Sequence, residues 1–359
     1  MGKYTAIDDP SAHFQVETYT GAGQNTSVTF SGNSDLKPDW LWLKNRTADY
    51  AHAAFDSNRN LGSAVNAPFL EPNDTTVENS NQNWWNSTNN GINTDGFQFG
   101  SVSEHNLNNL GSEYVAWAWK CNGGTTSSLS NTGPDSVVQL NSDAKFVIGT
   151  YTGNGSNSNV KHGLGETPDL LIVKRRNVST GSWAVWHKDL TSAYWLRLDA
   201  DVGQASGVWD GLDPNSEKFF ISGGSSNVNI SGSDYVFYAF KSVQGYSKFG
   251  KYYGNGNADG PFVHTGFKPA FVLYKKLSAE DWVILDNKRD PFNPAETRLK
   301  PNKNKADNTA LSDLMDFTSN GFKLRSSSAT INSNNTDYIY WAFAENPFVT
   351  STGIPTTAR

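Results

Sequence analysis

Nearly the same stretch occurs three times in this chain, and that repetition constrains the fold more than any other feature. The first copy reads Lys37-Pro38-Asp39-Trp40-Leu41-Trp42-Leu43-Lys44 and, much later, Glu113-Tyr114-Val115-Ala116-Trp117-Ala118-Trp119-Lys120. The second reads Thr167-Pro168-Asp169-Leu170-Leu171-Ile172-Val173-Lys174, then Asp234-Tyr235-Val236-Phe237-Tyr238-Ala239-Phe240-Lys241. The third reads Lys268-Pro269-Ala270-Phe271-Val272-Leu273-Tyr274-Lys275, then Asp337-Tyr338-Ile339-Tyr340-Trp341-Ala342-Phe343-Ala344. The period is roughly 100–130 residues, far above the ~20–50 of solenoid repeats, so each copy is the size of a domain.

Each copy opens on a glycine turn (Tyr19-Thr20-Gly21, Tyr151-Thr152-Gly153, Tyr253-Gly254). Copies two and three then show His162-Gly163-Leu164 and His264-Thr265-Gly266-Phe267, where copy one has Ser31-Gly32-Asn33. The Pro-led apolar run that follows reads as a strand, with proline at its first position where no ladder bond is lost. A short aromatic strand comes next: Ala53-Ala54-Phe55-Asp56, Trp183-Ala184-Val185-Trp186-His187, Trp282-Val283-Ile284-Leu285-Asp286. Then comes Asp95-Gly96-Phe97-Gln98-Phe99, Glu217-Lys218-Phe219-Phe220-Ile221 or Asn320-Gly321-Phe322-Lys323-Leu324, and each copy closes on the Tyr-rich strand. In the Pro-led and closing strands bulky residues occupy both parities, so both faces are expected to be buried. Ala310–Met315 is the one segment with the look of a helical turn or two.

The expected fold is all-β, three tandem β-sandwich domains of jelly-roll or lectin-like type. Their bounds are 1–121, 137–244 and 245–346, with a Gly/Ser/Thr linker at 122–136 and an extended C-terminal arm at 347–359. Three such sandwiches in a row would give length and rigidity.

Chemistry is sparse. The polar residue closing the short aromatic strand is Asp56, His187 or Asp286, and no second carboxylate keeps a fixed distance from it. The pairs Asp8-Asp9 and Glu280-Asp281 are adjacent, which on a strand sends them to opposite faces, whereas a glycosidase needs two carboxyls facing across a sugar. No catalytic residue is assigned. The six histidines lack metal-site spacing, so no metal is assigned, and His162 and His264 read as hairpin hydrogen-bonding residues. The lone Cys121 excludes an internal disulfide. Calcium is the one cofactor that loop oxygens at Asp199-Ala200-Asp201 and Asn257-Ala258-Asp259-Gly260 could hold, although Asx turns explain both. The stronger lead is aromatic. Trp84 and Trp85 stand among Asn83 and Asn86, and Trp209 in Gly207-Val208-Trp209-Asp210-Gly211, in the arrangement that stacks sugar rings and bonds hydroxyls. They would contact a glycan or a neighbouring subunit, or else fold back to plug their own sandwiches.

The net charge of −6 hides a gradient. Residues 1–120 carry 6 basic against 13 acidic groups, and residues 246–344 carry 13 against 10. No copy has the basic density of a nucleic-acid binder, and no run of 18 apolar residues could span a membrane. The start, Met1-Gly2-Lys3-Tyr4-Thr5, lacks the apolar core of a secretory signal. A chain made in the host cytoplasm with an adhesin-like composition is expected to be a component of a virus particle.

The recurring pattern, Tyr-Thr-Gly-x-Gly, then His-Gly, then Pro-Asp with an apolar strand ending in Lys, then Tyr-Val-x-Trp/Tyr-Ala-Phe/Trp-Lys, resembles tandem-repeat virion proteins of tailed, often marine, bacteriophages. These are labelled tail fibres or domains of unknown function. The opening Ile7-Asp8-Asp9-Pro10-Ser11-Ala12-His13-Phe14-Gln15 is similar to the N-terminus of the same group. The resemblance runs from about Ile7 to Phe348 and carries no catalytic residue. It implies a non-enzymatic structural protein located in the virion, a tail fibre or appendage with a host-surface glycan adhesion role. Its partners would be other virion proteins and itself, a homo-oligomer with trimer favoured, and host surface polysaccharide. A capsid decoration protein, and a carbohydrate-active enzyme or tandem carbohydrate-binding modules, are the alternatives.

Overall fold

The computed structural model describes residues 5–80, 83–100, 107–309 and 314–356. It is an all-β protein of antiparallel sheets. The first repeat contributes β1 (Phe14–Thr20), β2 (Thr26–Val28), β3 (Trp40–Asn45), β4 (Ala53–Asp56), β5 (Phe97–Phe99) and β6 (Glu113–Trp119). The second contributes β7 (Ser127–Leu129), β8 (Ser136–Asn141), β9 (Phe146–Thr152), β10 (Ser158–Lys161), β11 (Leu170–Arg175), β12 (Ala184–His187), β13 (Leu196–Arg197), β14 (Lys218–Ile221) and β15 (Asp234–Phe240). The third contributes β16 (Ser247–Gly254), β17 (Phe262–His264), β18 (Phe267–Lys276), β19 (Trp282–Asp286), β20 (Thr297–Arg298), β21 (Asn308–Thr309), β22 (Met315–Thr318), β23 (Gly321–Leu324), a single helical turn α1 (Ala329–Asn332) and β24 (Thr336–Pro347).

One plan recurs. A main sheet is ordered β1-β6-β3-β4, β9-β15-β11-β12 or β16-β24-β18-β19, and a small sheet pairs β2 with β5, β10 with β14, or β17 with β23. The closing Tyr-rich strand of each repeat is therefore central, flanked by the opening strand and the apolar Pro-led strand. Pro38 and Pro168 precede their strands, whereas Pro269 lies within β18 at a register irregularity, where a missing donor is tolerated.

Side-chain alternation explains why both parities are apolar. Trp40 and Trp42 of β3 face one cluster while Leu41 and Leu43 face another. The same division separates Leu170 and Ile172 from Leu171 and Val173, and Phe271 and Leu273 from Val272 and Tyr274. Of the two faces, one packs on the small sheet of its own repeat and makes a private core. The other joins a single cluster shared by all three repeats. At matching positions Trp119, Phe240 and Phe343 meet there: Trp119 and Phe343 lie 5.5 Å apart, Phe240 and Phe343 5.8 Å. Phe14 stacks on Phe343 at 4.8 Å and Trp40 on Tyr238 at 4.5 Å. The repeats are not strung into a rod; they close around a common aromatic centre.

Two tracts expected to be irregular are built in. Within 122–136, β7 pairs with β8 and extends the second main sheet to seven strands. The tail folds back through a turn at Gly353, with Thr356 N donating to Phe348 O, instead of running extended. The helical turn read at Ala310–Met315 falls mostly outside the described residues, and Met315 opens β22.

Candidate functional site

The polar residues that drew notice as possible acids sit at the seams between repeats. Asp56 closes β4, caps the following turn by accepting from Arg59 N, and pairs with the Arg59 guanidinium at 2.7 Å, both side chains fully buried. It also accepts a 2.6 Å bond from the Tyr238 hydroxyl of the second repeat. Asp286 repeats this with Arg289 at 2.7 Å and accepts from Trp117 Nε1 of the first repeat at 3.1 Å. Tyr238 and Trp117 occupy matching positions, so one device ties the first repeat to the second and the third to the first. Trp341 and His187 are the matching pair at the remaining seam, where Trp341 Nε1 is buried without a hydrogen bond among the described residues and the His187 ring faces the Tyr340 backbone. Burial, with nearby Lys188 a smaller cause, lowers the His187 pKa to about 3.

A second set of ties starts at the opening of each short aromatic strand. Trp183 Nε1 donates to Glu71 O, Trp282 Nε1 to Arg197 O, and His52 Nε2 contacts Lys300 O at 3.1 Å. Because Trp42 Nε1 donates to His52 Nδ1, His52 is a neutral imidazole carrying its proton on Nε2. Surface pairs follow the same circuit: Arg176 with Glu78, Lys303 with Asp201, and Arg46 with Asp307. The lysines that end the apolar strands, Lys44, Lys174 and Lys275, are completely buried. Lys174 donates to Thr75 O of the first repeat and Lys275 to Ser278 O. Burial pushes each pKa down to about 8.

The aromatic residues singled out from sequence do not form a sugar platform. Trp84 and Trp85 are 1% and 2% exposed and pack on Phe55, Phe69 and Phe99, while Trp209 is 0% exposed in the second private core. Of their amide neighbours, Asn83 is exposed and Asn86 half-buried, its carboxamide oxygen accepting from Thr88 N. The rings fill the open side of their sandwiches because a small sheet of two short strands leaves a gap that only a large apolar side chain closes. Of the loop oxygens considered for calcium, Asp199 accepts from Trp183 N, Asp201 pairs with Lys303, and Asp259 pairs with Lys323. Among the described residues no group of three or more His, Cys, Asp or Glu converges as a metal site.

His162 is buried and bridges Leu164 N and Asn215 O. Its structural counterpart is Thr265, which accepts from Phe267 N, and not His264 as the sequence match implied; His264 is exposed. A repeated asparagine went unrecognised. Asn108, Asn229 and Asn332 accept from Ala22 N, Asn154 N and Asn255 N, clamping the turn after the opening strand. Each stands six residues before the tyrosine of the closing strand, a spacing visible in the sequence.

The concave surface lies outside the seams, where the opening strand of one repeat meets the end of the short strand of another. Between first and second repeats β8 fills this place: Asn58 Nδ2 donates to Val137 O and Ile148 O, and Gln139 Nε2 donates to Ser57 Oγ. Between third and first a cleft of about 200 Å³ is lined by Gln15, Ser31, Lys288 and Glu345 among others. Between second and third a cleft of about 490 Å³ is lined by Lys188, Asp189, Lys248, Lys251, Tyr253 and Phe262 among others.

One family model, described only as a domain of unknown function (DUF7483), matches residues 9–347. The chain belongs to the DUF7483 family. The match spans all three repeats of this chain, about the extent of the shared core. No curated protein and no solved structure matches the chain.

Proposed function

We propose that this DUF7483 protein is a non-enzymatic structural component of a phage particle, displayed on its surface as a tail fibre or appendage with an adhesive role toward host glycans. The observation that carries the reading is the use made of the seam residues. Asp56 and Asp286, the most acid-like candidates, are consumed by a guanidinium, a hydroxyl and an indole. A carboxylate so held is a fastener, and fastening three sheets into one body suits a particle component that must resist shear and dilution. The resemblance to repeat-containing virion proteins supplies the setting. A head decoration role is the second reading, favoured by one feature: three similar units about a common centre match a threefold position on a shell.

Gold-labelled antibody microscopy on the corresponding particles tests this. Label on fibres or tail supports the first reading and label over the head the second. Absence of label from particles, or polysaccharide release by purified protein that Asp56→Asn abolishes, would overturn both.

A further inference from the structure

The three counterpart clefts provide an internal comparison. The first is filled by the protein's own β8. The second is crossed by Gln15, which donates to Ser11 O and Ser34 O and accepts from Gly32 N, so the edge of β1 is covered; its rim carries Glu345 and Asn346 with Lys288. The third is open. There β16 is the edge of its sheet, and among the described residues no segment crosses it as β8 or Gln15 does.

The lining of this third cleft is distinctive. It gathers Lys188, Lys248, Lys251 and His264 around a single carboxylate, Asp189. Lys248 Nζ donates to His264 O, and Lys188 lies 3.7 Å from Asp169; Lys251 forms no salt bridge among the described residues. Burial, with the nearby Lys188 ammonium a smaller cause, lowers the Lys248 pKa, and a bound anion relieves the Lys188 repulsion. Tyr253 and Phe262, 55% and 46% exposed, stand beside them. Tyr50, Phe292 and Phe348 are exposed as well, but Tyr253 and Phe262 are the exposed rings that line this cleft, where they offer apolar faces next to cations.

We propose that this cleft between the second and third repeats binds an acidic polysaccharide. Sugar ring faces stack on Tyr253 and Phe262, and carboxylate or sulfate groups are received by Lys251, Lys188 and Lys248. Asp189 rejects a second anionic group close to β12 and accepts a hydroxyl. A neutral glycan leaves the lysine repulsion unrelieved. A nucleic acid demands a longer basic track than three lysines supply, on a body whose net charge is −6. The inference deepens the adhesion reading and rests on it for its biological setting only. The binding test uses purified protein and the labelling test uses particles, so either can fail while the other stands.

Titration calorimetry of the full chain with a polyuronate and a sulfated dextran, against neutral dextran and a single-stranded oligonucleotide, decides the matter. Both acidic glycans should bind, and the tighter one identifies the acid group. Lys251→Glu should weaken binding about tenfold, equivalent to about 1.4 kcal/mol. Tyr253→Ala, which changes no charge, should weaken it with the salt dependence unaltered. Lys288→Glu, in the counterpart cleft, should leave binding as it is. Equal affinity for neutral dextran, tighter binding of the oligonucleotide, indifference to Lys251→Glu in a variant with unchanged circular dichroism, or no binding at all would overturn the proposal.

Discussion

Asp56 and Arg59 are a buried pair whose partners cannot be removed one at a time. Asp56→Ala removes the close partner of a buried guanidinium, which keeps only Glu78 at 3.5 Å as a counter-charge. It also leaves the Tyr238 hydroxyl without its acceptor, so unfolding by urea should show a loss of about 3–5 kcal/mol. The double variant Asp56→Ala/Arg59→Met should recover much of that loss, because no orphaned charge remains. His187 makes a different demand. Its folded pKa, about 3, lies below the unfolded value of about 6.5, so the folded state prefers the neutral ring. The corresponding stability is fully present above about pH 6.5 and is lost as pH falls toward 3. Burial lowers His52, His162 and His13 in the same direction. Denaturation free energies between pH 6.5 and 5 should therefore fall, and His187→Leu should make the slope shallower.

At the scale of elements, the turn after each opening strand is held by an asparagine and by a glycine that backbone approaches closely. A Cβ on Gly153 would meet Ile230 O at 2.4 Å, and on Gly21 would meet Asn109 O at 2.3 Å. Asn229→Ala orphans the amides of Asn154 and Gly155 and should cost about 1–3 kcal/mol in thermal or urea unfolding. The strands themselves were legible. The Pro-led run, the short aromatic run and the Tyr-rich run are strands in all three repeats, and the double-parity apolar pattern of the Pro-led and Tyr-rich runs announced burial on both faces. What covers the second face was not legible, because alternation reports that a side chain is buried and says nothing of which repeat buries it. Trp84 and Trp85 show the same limit in reverse: the amides around them mark the outer skin of the loop, while the indoles turn inward. Lys44, Lys174 and Lys275 read as the polar ends of strands, and their burial among carbonyls has no local signature.

At the scale of the whole molecule, each repeat leaves Val, Ile, Trp and Phe side chains of one sheet face to be covered by the others. A fragment comprising the second repeat alone, 137–244, would expose Ile148, Ile172, Val236 and Phe240, and should aggregate or unfold instead of behaving as a stable monomer. The intact chain should melt in a single calorimetric transition whose midpoint does not change with protein concentration, while three separate transitions would contradict the shared core. The covalent continuity of the three repeats has one more consequence. In a ring of identical subunits every substitution is imposed at all the junctions together, so a change that suits one is vetoed by the others. Here each junction is encoded separately, and selection can specialise one without disturbing its counterparts. The three clefts have diverged in this way, the first plugged by a hairpin, the second narrowed by a glutamine and the third left open and basic.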